Sequence, residues 1–291
     1  MRIFALELNN DILGLEERKA YIEALISKLP FPDLVLLPEL AICSYLPNQK
    51  IWAYADQNSQ DTSRWAKAMA KKYNTFVGVG YVDYEKGDYY NRYLIADENE
   101  VFGIISKSEG EAAVFKRGWF DNIINTPFGN VAVAICYDSR RKHFYQNIED
   151  KEISLIVFPH GSPASTKKTG EEEAVNDYFC NLYAEAFDVP VIYINSLGQL
   201  QSMPGLMGKL MELLKFTMNG KTKIYAEKGE DIILDVEEAK GHEVTLTPQR
   251  RNKEIVFHDE NLTKENLLFR KTILKLDILI GKRQYYKHKP Q

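Results

Sequence analysis

VAVAICYDSR, residues 131–140, is the stretch whose reading decides the fold. Its first half is an unbroken apolar run, preceded by the turn Pro127-Phe128-Gly129-Asn130 and by an edge strand at Ile123–Thr126. A short apolar run bounded by turn residues reads as a strand. This one, Val131–Cys136, ends on a thiol and continues into Tyr137 and Asp138. Downstream, a helix from about Arg140 to Asp150 leads into a strand at Ile153–Pro159, and a helix over Gly170–Phe187 leads into a strand at Val189–Asn195.

The same alternation holds upstream. Arg2–Leu8 reads as a strand, Gly14–Leu29 as an amphipathic helix, and Asp33–Leu37, between Pro32 and Pro38, as a buried strand. A helix over Asp61–Tyr73, capped by Asp61 or Thr62, precedes a strand at Thr75–Tyr81. Tyr89–Asp97 and Val101–Lys107 form a hairpin around Glu98–Glu100, and Lys221–Ala226 with Ile232–Val236 form another across a Lys-Gly-Glu turn. Strands alternating with helices, with hairpins interspersed, predict a mixed α/β sandwich rather than an all-parallel doubly wound sheet.

Two segments stand apart. Ser196–Met218, rich in Met and Leu, reads as a loop plus a short helix packed on the core. From Thr247 the chain carries a strand-like Glu254–Phe257, a helix from about Thr263 to Ile280, and a basic aromatic end, Lys282–Lys289, of the kind that is usually a solvated tail or an arm for a partner subunit. The division is therefore a domain over 1–246 and an arm over 247–291 that makes oligomer contacts.

Composition sets the outer bounds. In 291 residues, 41 acids against 37 bases give a net charge of −4, which argues against binding nucleic acid through its phosphates. Three scattered cysteines (Cys43, Cys136 and Cys180) suit neither a disulfide framework nor a zinc site. No apolar run approaches the roughly 18 residues of a membrane helix, and no secretory signal opens the chain. These features predict a cytoplasmic protein with no membrane partner.

Three strands deliver reactive groups at their carboxyl ends, where ligand sites gather in α/β sheets. Asp33–Leu37 delivers Glu39, Val101–Ile105 delivers Lys107, and Val131–Ile135 delivers Cys136. A free thiol is only about 3% thiolate at neutral pH and needs activation. A carboxylate can take its proton, and an ammonium can stabilise the oxyanion that forms when sulfur attacks an amide carbonyl, with the Tyr137 N–H as a second donor. The constellation predicts acyl transfer through a thioester, with water as the final acceptor and no cofactor or metal.

The segments Leu36-Leu37-Pro38-Glu39-Leu40, Lys107 after a hairpin, and Ile135-Cys136-Tyr137-Asp138-Ser139-Arg140 resemble the carbon–nitrogen hydrolase (nitrilase) superfamily over roughly residues 1–240. The resemblance implies an αββα sandwich, with sheets that stack into a larger sandwich in a homo-oligomer of at least two chains. It implies a Glu39–Lys107–Cys136 triad as base, cation and nucleophile, and a second glutamate. Glu111, seven residues before Gly118, is the choice for that role, with Glu109 as competitor. Tyr137, Asp138, His160 and Asn195 are expected to support the site or bind substrate. The substrate implied is a small amide or N-carbamoyl compound. Nitrile hydrolysis, acyl transfer to another acceptor, or a catalytically silent scaffold of the same fold are the alternatives. Departures from the family pattern at Ser44-Tyr45 and Arg141-Lys142-His143 fall on the expected pocket wall, and Lys116-Arg117 with Arg140-Arg141-Lys142 raise the option of a cationic mouth suited to a carboxylate.

Overall fold

A strand buried on both faces needs apolar side chains in both directions, and Arg2–Leu6 supplies them: Ile3 and Ala5 point one way, Phe4 and Leu6 the other. The computed structural model describes residues 1–167, 170–264 and 274–290. In it this strand lies within a sheet ordered Glu230–Ile232, Ala239–Glu243, Arg2–Leu6, Leu34–Leu36, Phe76–Glu85, Asp88–Ala96 and Val101–Ser106, with Asp56–Gln57 added beside Phe76–Glu85. Arg2–Leu6, Leu34–Leu36 and Phe76–Glu85 are mutually parallel, with Ile3 opposite Leu34 and Leu34 opposite Phe76.

The second sheet runs Lys223–Tyr225, Val191–Ile194, Leu155–Pro159, Gly129–Val133 and Ile123–Thr126. Its three central strands are parallel. The two sheets face each other through Ile3, Leu34, Leu36 and Ile95 on one side and Val131, Val133, Val157 and Ile194 on the other. The outer face of the first sheet is covered by the helices Leu15–Ile26 and Gln60–Tyr73, and that of the second by Lys142–Ile148 and Glu171–Phe187. Helix, sheet, sheet, helix is the expected αββα sandwich. A small third sheet, Pro163–Ser165, Phe216–Asn219, Ser196–Gly198 and Leu8–Asn9, closes one end.

Several expectations need correction. The helix Gln60–Tyr73 is not capped by its own Asp61 or Thr62: the carboxylate of Asp56 accepts from the N–H groups of both, at 3.0 and 2.7 Å. Lys223–Tyr225 and Glu230–Ile232 do not pair with each other. The first joins the second sheet beside Val191–Ile194, and the second joins the first sheet beside Ala239–Glu243. Glu254–Phe257 is extended chain rather than a strand. It holds Ile255 against the second sheet's helices. Ser196–Met218 contains a helix, Gly205–Leu213, but flanks it with two strands.

The helix placed from Thr263 to Ile280 falls partly on residues 265–273, outside the described residues. The described helix is Lys275–His288, and the basic aromatic end is its last turns rather than a solvated tail. Tyr285 is buried, its hydroxyl donates to Asp88 at 3.0 Å, and Lys289 reaches the same carboxylate at 2.7 Å. No helix among the described residues is long and apolar enough to cross a membrane.

Replacing Asp56 by Ala strips two first-turn N–H groups of their acceptor. Loss of a capping side chain costs about 1 kcal/mol, up to about 2, so urea melts of D56A are expected to show a lower midpoint with an unchanged slope.

Candidate active site

Glu39 follows the strand Leu34–Leu36 through Leu37 and Pro38. The turn that carries it lies directly on the neighbouring strand at Gly80, where a Cβ would stand 2.5 Å from the Pro38 carbonyl oxygen and 2.9 Å from the Glu39 Cα. Any larger residue at position 80 would displace the carboxylate. Leu40, the next residue, is held at φ 52°, a left-handed conformation that non-glycine residues rarely adopt. The buried guanidinium of Arg18 braces the same loop by donating to the Ala41 carbonyl at 2.7 Å.

Lys107 leaves the strand Val101–Ser106, and its own backbone is fixed at both ends: its N–H donates to Asn91, and its carbonyl accepts from Gly118, each at 2.8 Å. Its ammonium donates to Glu39 Oε1 at 2.6 Å and to Glu111 Oε1 at 3.1 Å. Glu39 Oε1 also accepts from the Asn91 side chain at 2.7 Å, and Oε2 from the Gly161 N–H at 2.7 Å. Glu111 Oε1 accepts from the Tyr45 hydroxyl at 2.7 Å. Both Glu39 and Lys107 are buried.

Two carboxylates therefore share one cation, and the field separates them. Burial raises the pKa of Glu39, and the charge of Glu111 adds to that rise against the pull of Lys107. Burial also works on Glu111, but Lys107 and the Tyr45 hydroxyl outweigh it and leave its pKa below the ordinary range. For Lys107, desolvation is overcome by Glu111 and Glu39, so the ammonium stays charged. Glu111 keeps its charge, and Glu39 is the member with raised proton affinity. Pairs driven apart in this way mark acid–base assignments.

Cys136 opens the turn Cys136–Arg140 at the end of the second sheet's Gly129–Val133 strand, at φ 53°. Non-glycine residues held in this region carry stored strain and cluster at functional sites. Asp138, in the same turn, accepts from the N–H groups of Ser108 and Glu109 at 2.7 and 2.8 Å. It thereby ties the nucleophile turn to the loop that leaves Lys107. Burial pushes the Asp138 carboxyl up to about 7. The Cys136 thiol is pushed up to about 12 by burial and by the charge of Glu39, with Lys107 opposing.

Cys136 Sγ lies 3.7 Å from Ser162 Oγ, which lies 2.9 Å from His160 Nδ1; His160 Nε2 is 3.3 Å from Ser139 Oγ, and Ser139 donates to the Cys136 carbonyl at 2.7 Å. Proton directions around this ring follow from its one committed member. Ser139 spends its proton on a carbonyl, so His160 Nε2 must donate to it. Burial and the nearby Arg140 and Lys107 hold the His160 pKa well below its ordinary value, so the ring is neutral and Nδ1 accepts from Ser162. Ser162 is then left to accept the Cys136 thiol proton.

The stretch His160-Gly161-Ser162 thus touches both Cys136 and Glu39. It also reaches Glu111 through Tyr45, whose ring would lie 2.2 Å from a Cβ at Gly161. Asn195 serves as a support: its side chain accepts from the Ser162 and Ser196 N–H groups and donates to Ser162, Asn219 and Gly220. Tyr137 is half-buried, and its hydroxyl donates to Asn261 Oδ1 at 3.4 Å.

Its ring and Glu111 border a cavity of about 480 Å³. Across that cavity stand the Gly205–Leu213 helix and the Lys275–His288 helix. Among the described residues, no group of three or more His, Cys, Asp or Glu side chains is placed to hold a metal ion.

The sequence matches the family model for carbon–nitrogen hydrolases over residues 15–249. The chain belongs to the carbon–nitrogen hydrolase family. A comparison with curated proteins finds no match. Among solved structures, a carbon–nitrogen hydrolase from Helicobacter pylori aligns with TM-score 0.67 at 17% identity, covering 83% of this chain and 88% of its own. A Saccharomyces cerevisiae member of the nitrilase superfamily aligns with TM-score 0.62 at 17% identity, covering 83% and 88%. A cysteine-to-alanine mutant of a Nesterenkonia amidase, in complex with butyramide, aligns with TM-score 0.66 at 16% identity, covering 84% and 91%. At these identities the likeness is one of fold.

In this family member the structure brings together Glu39, Lys107 and Glu111, the acid–cation cluster whose charges act on Cys136. Glu109 is turned away to Arg117 and Arg141, at 3.0 and 3.3 Å. Four of the five bases that suggested a cationic mouth are engaged: Arg140 with Glu172 and Asn176, Arg141 with Glu109 and Asn261, Arg117 with Glu109, and Lys116 with Asp88. Cys43 and Cys180 are buried and free. Sequence reasoning missed Ser139, Ser162 and the hydroxyl of Tyr45. A lone serine or a tyrosine in a loop carries no local signal of what it will meet across the fold.

With its pKa raised, Cys136 is expected to react with iodoacetamide at a rate that still climbs at the alkaline end of the accessible range. Lys107→Met removes the opposing cation and moves that climb to still higher pH. Intact mass against time at each pH checks both. His160 is expected to remain an uncharged Nε2–H tautomer from pH 5 to 8 in ¹H–¹⁵N spectra; a titration inside that window contradicts the network.

Proposed function

We propose that this protein hydrolyses a small amide through a thioester on Cys136, with Glu39 as general base and acid, Lys107 as the oxyanion-stabilising cation and Glu111 as the second glutamate. The observation that carries the reading is the buried ammonium held between two carboxylates whose proton affinities differ, beside a thiol on a strained turn. The amidase named among the structural relatives, seen with butyramide, supports an amide over an N-carbamoyl substrate.

The steps balance on these groups alone. Cys136 sulfur attacks the amide carbonyl as its proton passes to Glu39, whose raised pKa makes it a better acceptor than an ordinary glutamate. The oxyanion that forms is stabilised by the Lys107 ammonium, already in place and needing no reorganisation. Collapse breaks the C–N bond, Glu39 returns the proton to the leaving nitrogen, and a thioester remains. A water molecule gives a proton to Glu39 and attacks the thioester. The C–S bond breaks, Glu39 returns that proton to the departing sulfur, the carboxylic acid leaves, and thiol and carboxylate are both restored.

Glu111 anchors Lys107 and is itself fixed by Tyr45. Its Oε2 is buried without a hydrogen-bond partner. Ser162, held by His160 and Asn195, lies 3.7 Å from Cys136 Sγ and holds the resting thiol in place until its proton passes to Glu39.

Ammonia release from a panel of primary amides tests the reading. Cys136→Ala is expected to remove all turnover, and Glu39→Gln to lower kcat by about 10²–10⁴, the usual worth of a positioned acid–base group. Full activity in C136A refutes the mechanism. The acid limb of kcat/KM reports ionisation of Glu39, and activity falls as that group is protonated. Because the charge of Glu111 raises the Glu39 pKa, E111Q is expected to move the limb to lower pH. A move to higher pH contradicts the assignment.

A further inference from the structure

We infer that the cavity bordered by Glu111 and Tyr137 binds the acyl chain of an uncharged aliphatic amide, and that this chain decides which amides are cut. The inference rests on the amide-hydrolysis reading above and deepens it. At about 480 Å³ the cavity falls in the range, roughly 300–1,000 Å³, of sites that enclose small molecules.

Beyond Glu111 and Tyr137, its walls are made by segments the chemistry does not use. Met203, Met207 and Met211 line one side, Ile278 the other, and Ala112 and Ala113 the loop beyond Glu111. Three thioether side chains give a wall that adapts to aliphatic chains of different length.

The charge of the lining selects the substrate class. None of the described residues that line the cavity is basic. Its acids are already engaged: Glu109 with Arg117 and Arg141, Glu111 with Lys107 and Tyr45, and Asp277 with the Leu206 N–H at 2.7 Å. A carboxylate on the substrate tail would be desolvated beside three acids, with no cation among the described lining residues to meet it. Of the bases outside that raised the prospect of carboxylate binding, Lys116, Arg117, Arg140 and Arg141 are paired elsewhere, as described above.

The acyl side is favoured over the amine side by which residues form the wall. Tyr137, next in the chain to Cys136, and Glu111, which holds Lys107, line the cavity, whereas Glu39, toward which the amine departs, does not. The group that becomes bonded to Cys136 sulfur is therefore the one beside the cavity, and it stays there through both halves of the reaction.

A ladder of primary amides, from acetamide through butyramide to hexanamide, is the test, read as kcat/KM for ammonia release with C136A as the blank. The expected result is a rise of about fourfold per added methylene, equivalent to the ~0.8 kcal/mol gained when a CH₂ is buried. Succinamate is expected to fall at least tenfold below butyramide. In Met207→Trp or Met211→Trp the hexanamide-to-acetamide ratio should drop at least tenfold; the wild-type ladder decides alone if neither variant folds.

A flat or falling ladder with Cys136-dependent cleavage of acetamide overturns this inference and leaves amide hydrolysis standing. A rise along N-alkylacetamides with a flat acyl ladder overturns it too, as does succinamate cut as fast as butyramide. Absence of Cys136-dependent ammonia from every amide overturns the amide reading itself.

Discussion

One ammonium between two buried carboxylates is the constraint around which this molecule is arranged. Lys107 is 2.6 Å from Glu39 and 3.1 Å from Glu111, in a place where none of the three is freely hydrated. Taking such charges out of water is costly, and removing one partner leaves an uncompensated charge. The fold answers with neutral donors drawn from distant parts of the chain: the Asn91 amide, the Gly161 N–H and the Tyr45 hydroxyl. Each satisfies a lone pair that water would otherwise have held. With three charges and an odd balance, one carboxylate must be the more basic: burial raises Glu39, while Lys107 and then the Tyr45 hydroxyl keep Glu111 charged.

The sandwich makes this cluster possible because its two sheets end in the same place. Glu39 and Lys107 come from the first sheet and Cys136 from the second, and the core between the sheets holds the strands that carry them in fixed relation. Asp138 fastens the two halves together by binding the backbone just after Lys107. Left-handed residues at Leu40 and Cys136 mark where the chain leaves its strands in directions that regular geometry does not permit. Gly80 and Gly161 mark where another segment must come closer than a side chain allows.

Much of this was legible in the sequence, for local reasons. Glu39, Lys107 and Cys136 each stand just past an apolar run with clear boundaries, so their strands were readable and their shared edge followed from the topology of α/β sheets. The helix and hairpin spans up to Ala96 and Ser106 agree with the periodicity to within a few residues. The errors came where the deciding contact lies far along the chain. Lys223–Tyr225 and Glu230–Ile232 flank a turn with Gly229 at φ 99°, which is a sound local turn signal. Turn chemistry, however, says nothing about which sheet each arm will join. The cap on Gln60–Tyr73 was sought within the helix, whereas Asp56 reaches it from a preceding strand. Tyr285 was read as part of a tail because charge runs are usually solvated; its partner, Asp88, lies on the far side of the sequence.

Chemistry and enclosure are written into different stretches of this polypeptide. The groups proposed to react sit on strand ends of the double sheet, while Met207, Met211 and the second wall belong to helices packed outside it. On the proposed reading, mutational drift in those outer helices alters appetite without disturbing the machinery beneath. A lineage built on this plan can move between diets through a handful of thioether and aliphatic exchanges.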